Sequence, residues 1–186
     1  MELDDIIGAR AFAADPAVHE AGGSPSAWRY RLTAVRHYRG VYGLARALLG
    51  DAAEAEDVTQ ETFIRYWQHG ATVRRPREWL MQVARNGCLD RLRRSGRFVA
   101  TPDDELPETR DERDPGWHYE QRELADRLGR AIAGLGEPQK SLVLLFDVQG
   151  MSMDECARVI GINVNQVKVY LHRARRRLRL ELEDSR

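Results

Sequence analysis

Ser152-Met-Asp-Glu-Cys-Ala-Arg-Val-Ile-Gly161 runs on into Ile162-Asn-Val-Asn-Gln-Val-Lys-Val-Tyr-Leu-His-Arg-Ala-Arg-Arg-Arg-Leu-Arg-Leu-Glu-Leu182, and the pair specifies two consecutive helices. Ser152 and Glu155 have the spacing of a capping box, in which a hydroxyl accepts from the third backbone N–H and the Glu reaches back. A short helix follows, with Cys156, Ala157 and Ile160 expected inside, and Gly161 closes it. Asn163 to Gln166 offers a second cap, and a long helix runs from there. Two helices around a glycine turn, the second one basic, form the helix-turn-helix pattern.

The second helix divides into faces at about 100° per residue. Val167, Leu171, Ala174, Leu178 and Leu182 share the core stripe. The opposite face carries Asn165, Val169, His172, Arg173 and Arg176, flanked by Lys168 and Arg179. Val169 is apolar at the centre of a polar face, where a solvated helix favours Lys or Glu. It suits contact with something apolar, such as a thymine methyl in the major groove. The arginines suit phosphates and guanine edges. The plainer alternative is a solvated arginine-rich surface helix, against which the capped helix and tight turn argue.

Upstream, Leu124, Leu128, Ile132 and Leu135 recur at helical spacing, with Gly136 and Pro138 ending that helix. Leu142 to Phe146 reads as a short helix buried on most sides, broken by Gly150. Further upstream, Trp28, Leu32, Val35, Tyr42, Ala45 and Leu49 mark a long amphipathic helix ended by Gly50-Asp51. A second helix runs from about Ala52 to Trp67 with Ala55, Val58, Thr62, Phe63 and Tyr66 as its core stripe. Its other face shows Glu54, Asp57, Gln60, Glu61 and Ile64. An exposed Ile rimmed by acid and amide reads as a protein-docking surface; a solvated face with one stray Ile is the alternative.

Pro76 fits the first position of a third helix, where no N–H partner is needed. Leu80, Val83, Ala84 and Gly87 are expected inward; Gln82, Arg85, Asn86, Leu89 and Arg93 outward, near Arg74, Arg75, Arg91, Arg94 and Arg97. Amides and arginines beside Trp79 suit phosphates and an unstacked base, although a Trp at a helix start is more often core.

The 186-residue chain has a formal net charge of zero, which by itself argues weakly against a nucleic-acid binder. The charges are segregated, however. From Thr101 to Glu120, Asp103, Asp104, Glu105, Glu108, Asp111, Glu112, Asp114 and Glu120 face only Arg110 and Arg113, whereas Arg and Lys dominate from Arg74 to Arg97 and from Lys168 to Arg179. The acidic stretch contains Pro and few large aliphatics and reads as a linker. Strand signals are scarce. The expected architecture is all-α: an N-terminal extension over 1–24, a helical domain over 25–97, a flexible acidic linker over 98–118 and a second helical domain over 119–186. Leu3, Ile6 and Ile7 suggest a short helix in the extension. The two cysteines, Cys88 and Cys156, lie far apart with no CxxC, so neither a disulfide framework nor an ordinary zinc site is expected. No signal peptide or apolar span is apparent, and a cytoplasmic location follows.

These segments resemble a known family. Asp51-Ala-Ala-Glu-Ala-Glu-Asp-Val-Thr-Gln-Glu-Thr-Phe-Ile-Arg-Tyr-Trp67 resembles the polymerase-docking stretch of sigma domain two. Trp79-Leu-Met-Gln-Val-Ala-Arg-Asn-Gly-Cys-Leu-Asp-Arg-Leu-Arg-Arg94 resembles the promoter-melting stretch, and Gly161 to Leu178 the helix-turn-helix of sigma domain four. Two motifs in this order around a linker are similar to the extracytoplasmic-function (ECF) sigma factors. The resemblance implies that Asp57, Gln60, Glu61 and Ile64 bind the clamp helices of the polymerase largest subunit. It implies that the loop Gln68 to Arg75 and the following helix, with Arg74, Arg75, Trp79, Arg85, Asn86 and Arg93, open the minus-10 element and hold a flipped base. Asn165, Lys168, Val169, His172, Arg173, Arg176 and Arg179 would read the minus-35 element while domain four sits on the flap of the other large subunit. The acidic linker would run towards the RNA exit path. An anti-sigma protein is the implied regulator, and no cofactor is implied. The chain departs from the family at Leu135-Gly-Glu-Pro-Gln-Lys140, where a Leu-Pro-Glu-Arg-like turn is usual. It departs again at Gln166 and Val169, where Thr and Ser are common, and this bears on the minus-35 sequence.

Two rival readings differ in what they require. A dimeric helix-turn-helix repressor needs self-association and a two-fold operator; the Ile64 stripe and the lack of a ligand-binding domain speak against it. A hydrolase or metal enzyme needs a constellation, but His19, His37, His69, His118 and His172 are scattered over different segments.

Overall fold

The computed structural model describes residues 27–100 and 121–184. The expected helix around Leu3, Ile6 and Ile7, the acidic run from Thr101 to Glu120 and the side chain of Leu124 lie outside the described residues. The chain divides into two compact units, one running to Ser95 and the other starting at Gly96.

In the first unit, α1 (Ala27–Leu49), α2 (Ala52–His69) and α3 (Pro76–Arg94) pack against one another, with a 3₁₀ turn at Gly70–Thr72. Gly50 stops α1 in the left-handed region (φ 77°), where a Cβ is unfavourable. Asp51 caps α2 by accepting from the Glu54 N–H at 2.8 Å. Pro76 opens α3 as expected. The core is built from Val41, Leu44 and Leu48 of α1, Val58, Phe63 and Tyr66 of α2, and Leu80, Met81, Cys88 and Leu92 of α3. Thr59 and Thr62 are buried too. Their hydroxyls donate to the Ala55 and Val58 carbonyls, both at 2.7 Å, so no polar group is stranded there. At Gly87 a Cβ would lie 3.4 Å from a Val58 methyl, so the glycine sets the close approach of α3 to α2.

Two expectations fail in this unit. Trp28, Leu32 and Val35 do not join the core stripe of α1; they are 66%, 61% and 55% exposed. The buried face of α1 runs instead through Ala34, Val41, Leu44, Ala45 and Leu48. On α3, Arg85 and Leu89 turn inward, whereas Val83 and Gly87 are only half-buried. The cause is tertiary. α3 packs against both α1 and α2, and its buried arc is turned from the Val83 and Gly87 side towards Met81, Arg85 and Leu89.

The second unit holds α4 (Gln121–Ala133), α5 (Gln139–Val143), α6 (Met153–Ile160) and α7 (Val164–Asp184). Leu135, Leu142, Leu145, Met151, Cys156, Val159, Val167, Leu171 and Ala174 form its centre. Val159 takes the interior place expected of Ile160, which is half-buried. The run Leu142 to Phe146 is not one regular helix. After Val143 the backbone widens into a π turn over Leu144–Val148, closed by the Gln149 N–H donating to the Leu144 carbonyl at 2.9 Å. Leu144 and Leu145 stay buried while Asp147 and Val148 face out. Val99 and Ala100, read as linker, lie alongside Glu137, whose N–H donates to the Val99 carbonyl at 2.8 Å.

Candidate polymerase and nucleic-acid surfaces

The outer face of α2 carries Asp57, Gln60, Glu61 and Ile64, all exposed, with Ile64 at 36%. Their placement follows from the opposite stripe, because Ala55, Val58, Thr62, Phe63 and Tyr66 are all buried. Arg91 of α3 leans across this face, a placement that helical periodicity did not reveal. Its guanidinium donates to the Glu54 carbonyl at 2.8 Å, pairs with the Glu61 carboxylate at 2.7 Å and lies 3.7 Å from Asp57. Both carboxylates remain more than half exposed, so each pair contributes at most about 1 kcal/mol. A single guanidinium, anchored on the Glu54 carbonyl, nevertheless sits between the two acids. The sequence grouped Arg91 with the outward arginines, and no spacing rule separates it from Arg93 or Arg94.

A second surface lies on α3 and the turn before it. Arg74, Arg75, Asn86 and Arg93 are exposed. Arg75 pairs with Glu78 at 3.7 Å and Arg93 with Asp90 at 3.0 Å, both across one helical turn. Trp79 is half-buried, with its ring 5.8 Å from that of Tyr66, so most of it belongs to an aromatic cluster with Tyr30 and Trp67. Arg85 is only 8% exposed. It is not part of the outward face, and its place among the groups facing DNA is corrected accordingly. Near this surface, burial lowers the basicity of His37, and Arg36 and Arg77 lower it further. Tyr38, partly buried and donating to Glu56 at 3.2 Å, has its pKa pushed up to about 12.

The third surface belongs to the second unit. Ser152 and Glu155 form the capping box in full: the hydroxyl accepts from Glu155 N–H at 3.3 Å and the Glu carboxylate accepts from Ser152 N–H at 2.7 Å. Gly161 turns the chain in the left-handed region at φ 82°. Asn163 and Gln166 cap α7 reciprocally, at 2.8 and 3.0 Å. α7 then buries Val167, Leu171, Ala174 and Leu178. Asn165, Lys168, Val169, His172, Arg176 and Arg179 are exposed on its other side, and Arg173 is half-buried. Val169 is 47% exposed among these cations. Arg175 turns away from them, pairing with Asp147 of the π turn and lying over the Phe146 ring at 5.5 Å. α6, turn and α7 thus form a helix-turn-helix with a basic outer face.

Sigma-70 region 2 matches residues 33–98, and Sigma-70 region 4 matches residues 125–178. The chain belongs to the ECF sigma factors of the sigma-70 family. The ECF RNA polymerase sigma factor SigL of Mycobacterium tuberculosis is 36% identical over 163 residues, covering 80% of this chain and 85% of SigL. The ECF RNA polymerase sigma factor SigE of Mycolicibacterium smegmatis is 33% identical over 148 residues, covering 77% of this chain and 58% of SigE. Among solved structures, the sigma factor RpoE in complex with the anti-sigma factor NepR from Bartonella quintana aligns with a TM-score of 0.65. Its identity is 21%, over 85% of this chain and 99% of RpoE. CnrH in complex with the cytosolic domain of CnrY aligns at 0.62, with 22% identity over the whole of both chains. At those identities the two structures speak to the fold, which is all-α as expected. As an ECF sigma factor the chain works with core RNA polymerase and promoter DNA. This excludes the repressor reading. Among the described residues, no helix is long and apolar enough to cross a membrane, and no group of three His, Cys, Asp or Glu side chains is placed to hold a metal ion.

Proposed function

We propose that this ECF sigma factor divides its work among the three surfaces. The α2 face of Asp57, Gln60, Glu61 and Ile64 docks on the polymerase clamp helices. Arg74, Arg75, Asn86 and Arg93, with the open edge of Trp79, engage the minus-10 element. Asn165, Lys168, Val169, His172, Arg173, Arg176 and Arg179 engage the minus-35 element. The observation that carries this reading is Val169, an apolar side chain half-exposed at the centre of a basic face, directly opposite a buried stripe on the same helix. A helix with that cross-section suits a major groove, where a methyl and guanine acceptors are offered together above phosphates. The chain itself catalyses no step; the polymerase forms the bonds, in the cytoplasm. An anti-sigma protein restrains the factor by covering its docking faces, a reading supported by the bound partner of the similar RpoE. The domain limits are 25–97 and 119–186, the acidic stretch between them serving as a linker.

Transcription in vitro with core polymerase on a promoter library tests the proposal. The expected result is initiation restricted to one pair of minus-35 and minus-10 elements, with the minus-35 preference altered by substitutions on the outer face of α7. Unchanged minus-35 preference in all such variants would remove α7 as the reader.

A further inference from the structure

Glu54, Asp57 and Glu61 stand at i, i+3 and i+7 of α2 and so share one line of its surface, with Gln60 and Ile64 beside it. Arg91 of α3 reaches over to that line. Its Nη1 donates to the Glu54 carbonyl at 2.8 Å and lies 3.7 Å from Oδ2 of Asp57, while its Nη2 meets Oε1 of Glu61 at 2.7 Å. The Arg91 side chain is 24% exposed, against 68% for Asp57 and 53% for Glu61. The cation is the covered member of the group. It meets one oxygen of each acid, and both carboxylates keep most of their surface open to a partner.

The Glu54 carbonyl is decisive. A guanidinium that met only carboxylates would move with them, whereas a carbonyl of the helix backbone is fixed. The planar fork of Arg spans several acceptors at once, which the point charge of Lys does not. Both terminal nitrogens of Arg91 are turned to α2, unlike Arg74, Arg75 and Arg93, which belong to the exposed surface assigned to the minus-10 element. We propose that Arg91 is a positioning residue for polymerase docking: it presets Asp57 and Glu61 for cations of the polymerase and does not contact DNA. The proposal rests on the assignment of the α2 face to the clamp helices. Without Arg91, association has to order both acidic side chains, and that ordering opposes binding. Arg91 also neutralises part of the acidic charge, which would act in the opposite direction. The two effects predict opposite signs for its removal.

Titration of the full chain against core polymerase tests this in a double-mutant cycle. Arg91→Gln is expected to weaken binding roughly tenfold, the scale of ordering two side chains. Arg91→Lys keeps the charge without the fork and is expected to weaken it in the same direction. In the Asp57→Asn, Glu61→Gln background, Arg91→Gln is expected to have no further effect. With core polymerase saturating, Arg91→Gln should leave the salt dependence of promoter binding unchanged. Unchanged or tighter core binding by Arg91→Gln would overturn the proposal, as would wild-type binding by Arg91→Lys, since charge alone would then suffice. An equal loss with and without the two acids would overturn it by placing the effect in the fold or in a direct polymerase contact. A salt slope lowered by about one phosphate contact would make Arg91 a DNA-binding residue instead. If Asp57→Asn, Glu61→Gln itself leaves core affinity unchanged, the docking role of α2 fails, and the positioning role with it; if those acids matter and Arg91 does not, only the positioning role fails.

Discussion

Leu171 and Val169 stand two residues apart on α7 and are assigned opposite jobs, so truncating each to Ala separates stability from recognition. Leu171 is 2% exposed. Leu171→Ala removes its buried isobutyl body and leaves a cavity in the core of the second unit, at a cost of about 2–5 kcal/mol. For a unit of this size each kcal/mol lowers Tm by about 4–8 °C, so the melting of the second unit falls by at least about 8 °C. Val169 is 47% exposed. Val169→Ala removes two methyls worth roughly 1.6 kcal/mol if fully buried, hence roughly 0.8 kcal/mol at half burial. The better helix propensity of Ala returns about 0.5 kcal/mol. The net change is about 0.3 kcal/mol, so Tm moves by about 2 °C or less. Circular dichroism at 222 nm follows the melting, and transcription with core polymerase on minus-35 variants follows recognition. Val169→Ala is expected to lose about 1 kcal/mol or less of promoter preference, concentrated at a thymine. If Val169→Ala melts as early as Leu171→Ala, Val169 is a packing residue and the argument for the outer face of α7 fails.

Asp57→Arg or Ile64→Arg should leave the helical spectrum intact and cost about 1 kcal/mol of stability or less, since both side chains are exposed, while core-polymerase binding by titration weakens by several kcal/mol; unaltered affinity would remove the docking role of α2. Arg173→Ala should relax preference at one minus-35 position by about 1–3 kcal/mol, whereas Arg176→Ala or Arg179→Ala should weaken all promoters alike and lower the salt slope by about one phosphate contact. A uniform factor for Arg173→Ala would reassign it to the backbone. The factor without polymerase should bind promoter DNA only in the non-specific range of roughly 10⁻⁴–10⁻⁶ M; tight sequence-specific binding in a mobility-shift assay would contradict the division of labour. His37 is less basic in the fold than in the unfolded chain, so the unfolded state gains the proton first as pH falls through about 6.5. Stability of the first unit should therefore be full above that pH and decline below it, and His37→Gln should flatten the decline in chemical denaturation.

The helix-turn-helix was legible because its signals are local. A hydroxyl three residues before a Glu, a glycine that tolerates φ 82°, and an Asn three residues before a Gln each act within one turn of chain, and all three appear as read. The faces of α2 and α7 were legible for a related reason: each keeps an unbroken exposed stripe opposite its apolar one, so periodicity alone separates Val58 from Asp57 and Leu171 from Val169. What the sequence left open depends on how many neighbours a helix has and where it ends against them. Periodicity shows that a helix has an apolar stripe, but not which flank of it meets a neighbour. Arg85 and Leu89 lie inside because packing turns that flank of α3 inward, and Trp28, Leu32 and Val35 lie outside because the buried line of α1 passes through Ala34 and Val41. The aromatic cluster that claims most of Trp79, and the reach of Arg91 across to Glu61 and the Glu54 carbonyl, join residues distant in sequence. Capping and amphipathicity are properties of one segment and can be read along it, whereas burial on a flank and the partner of a long side chain are set by a second segment, which only the packed structure supplies.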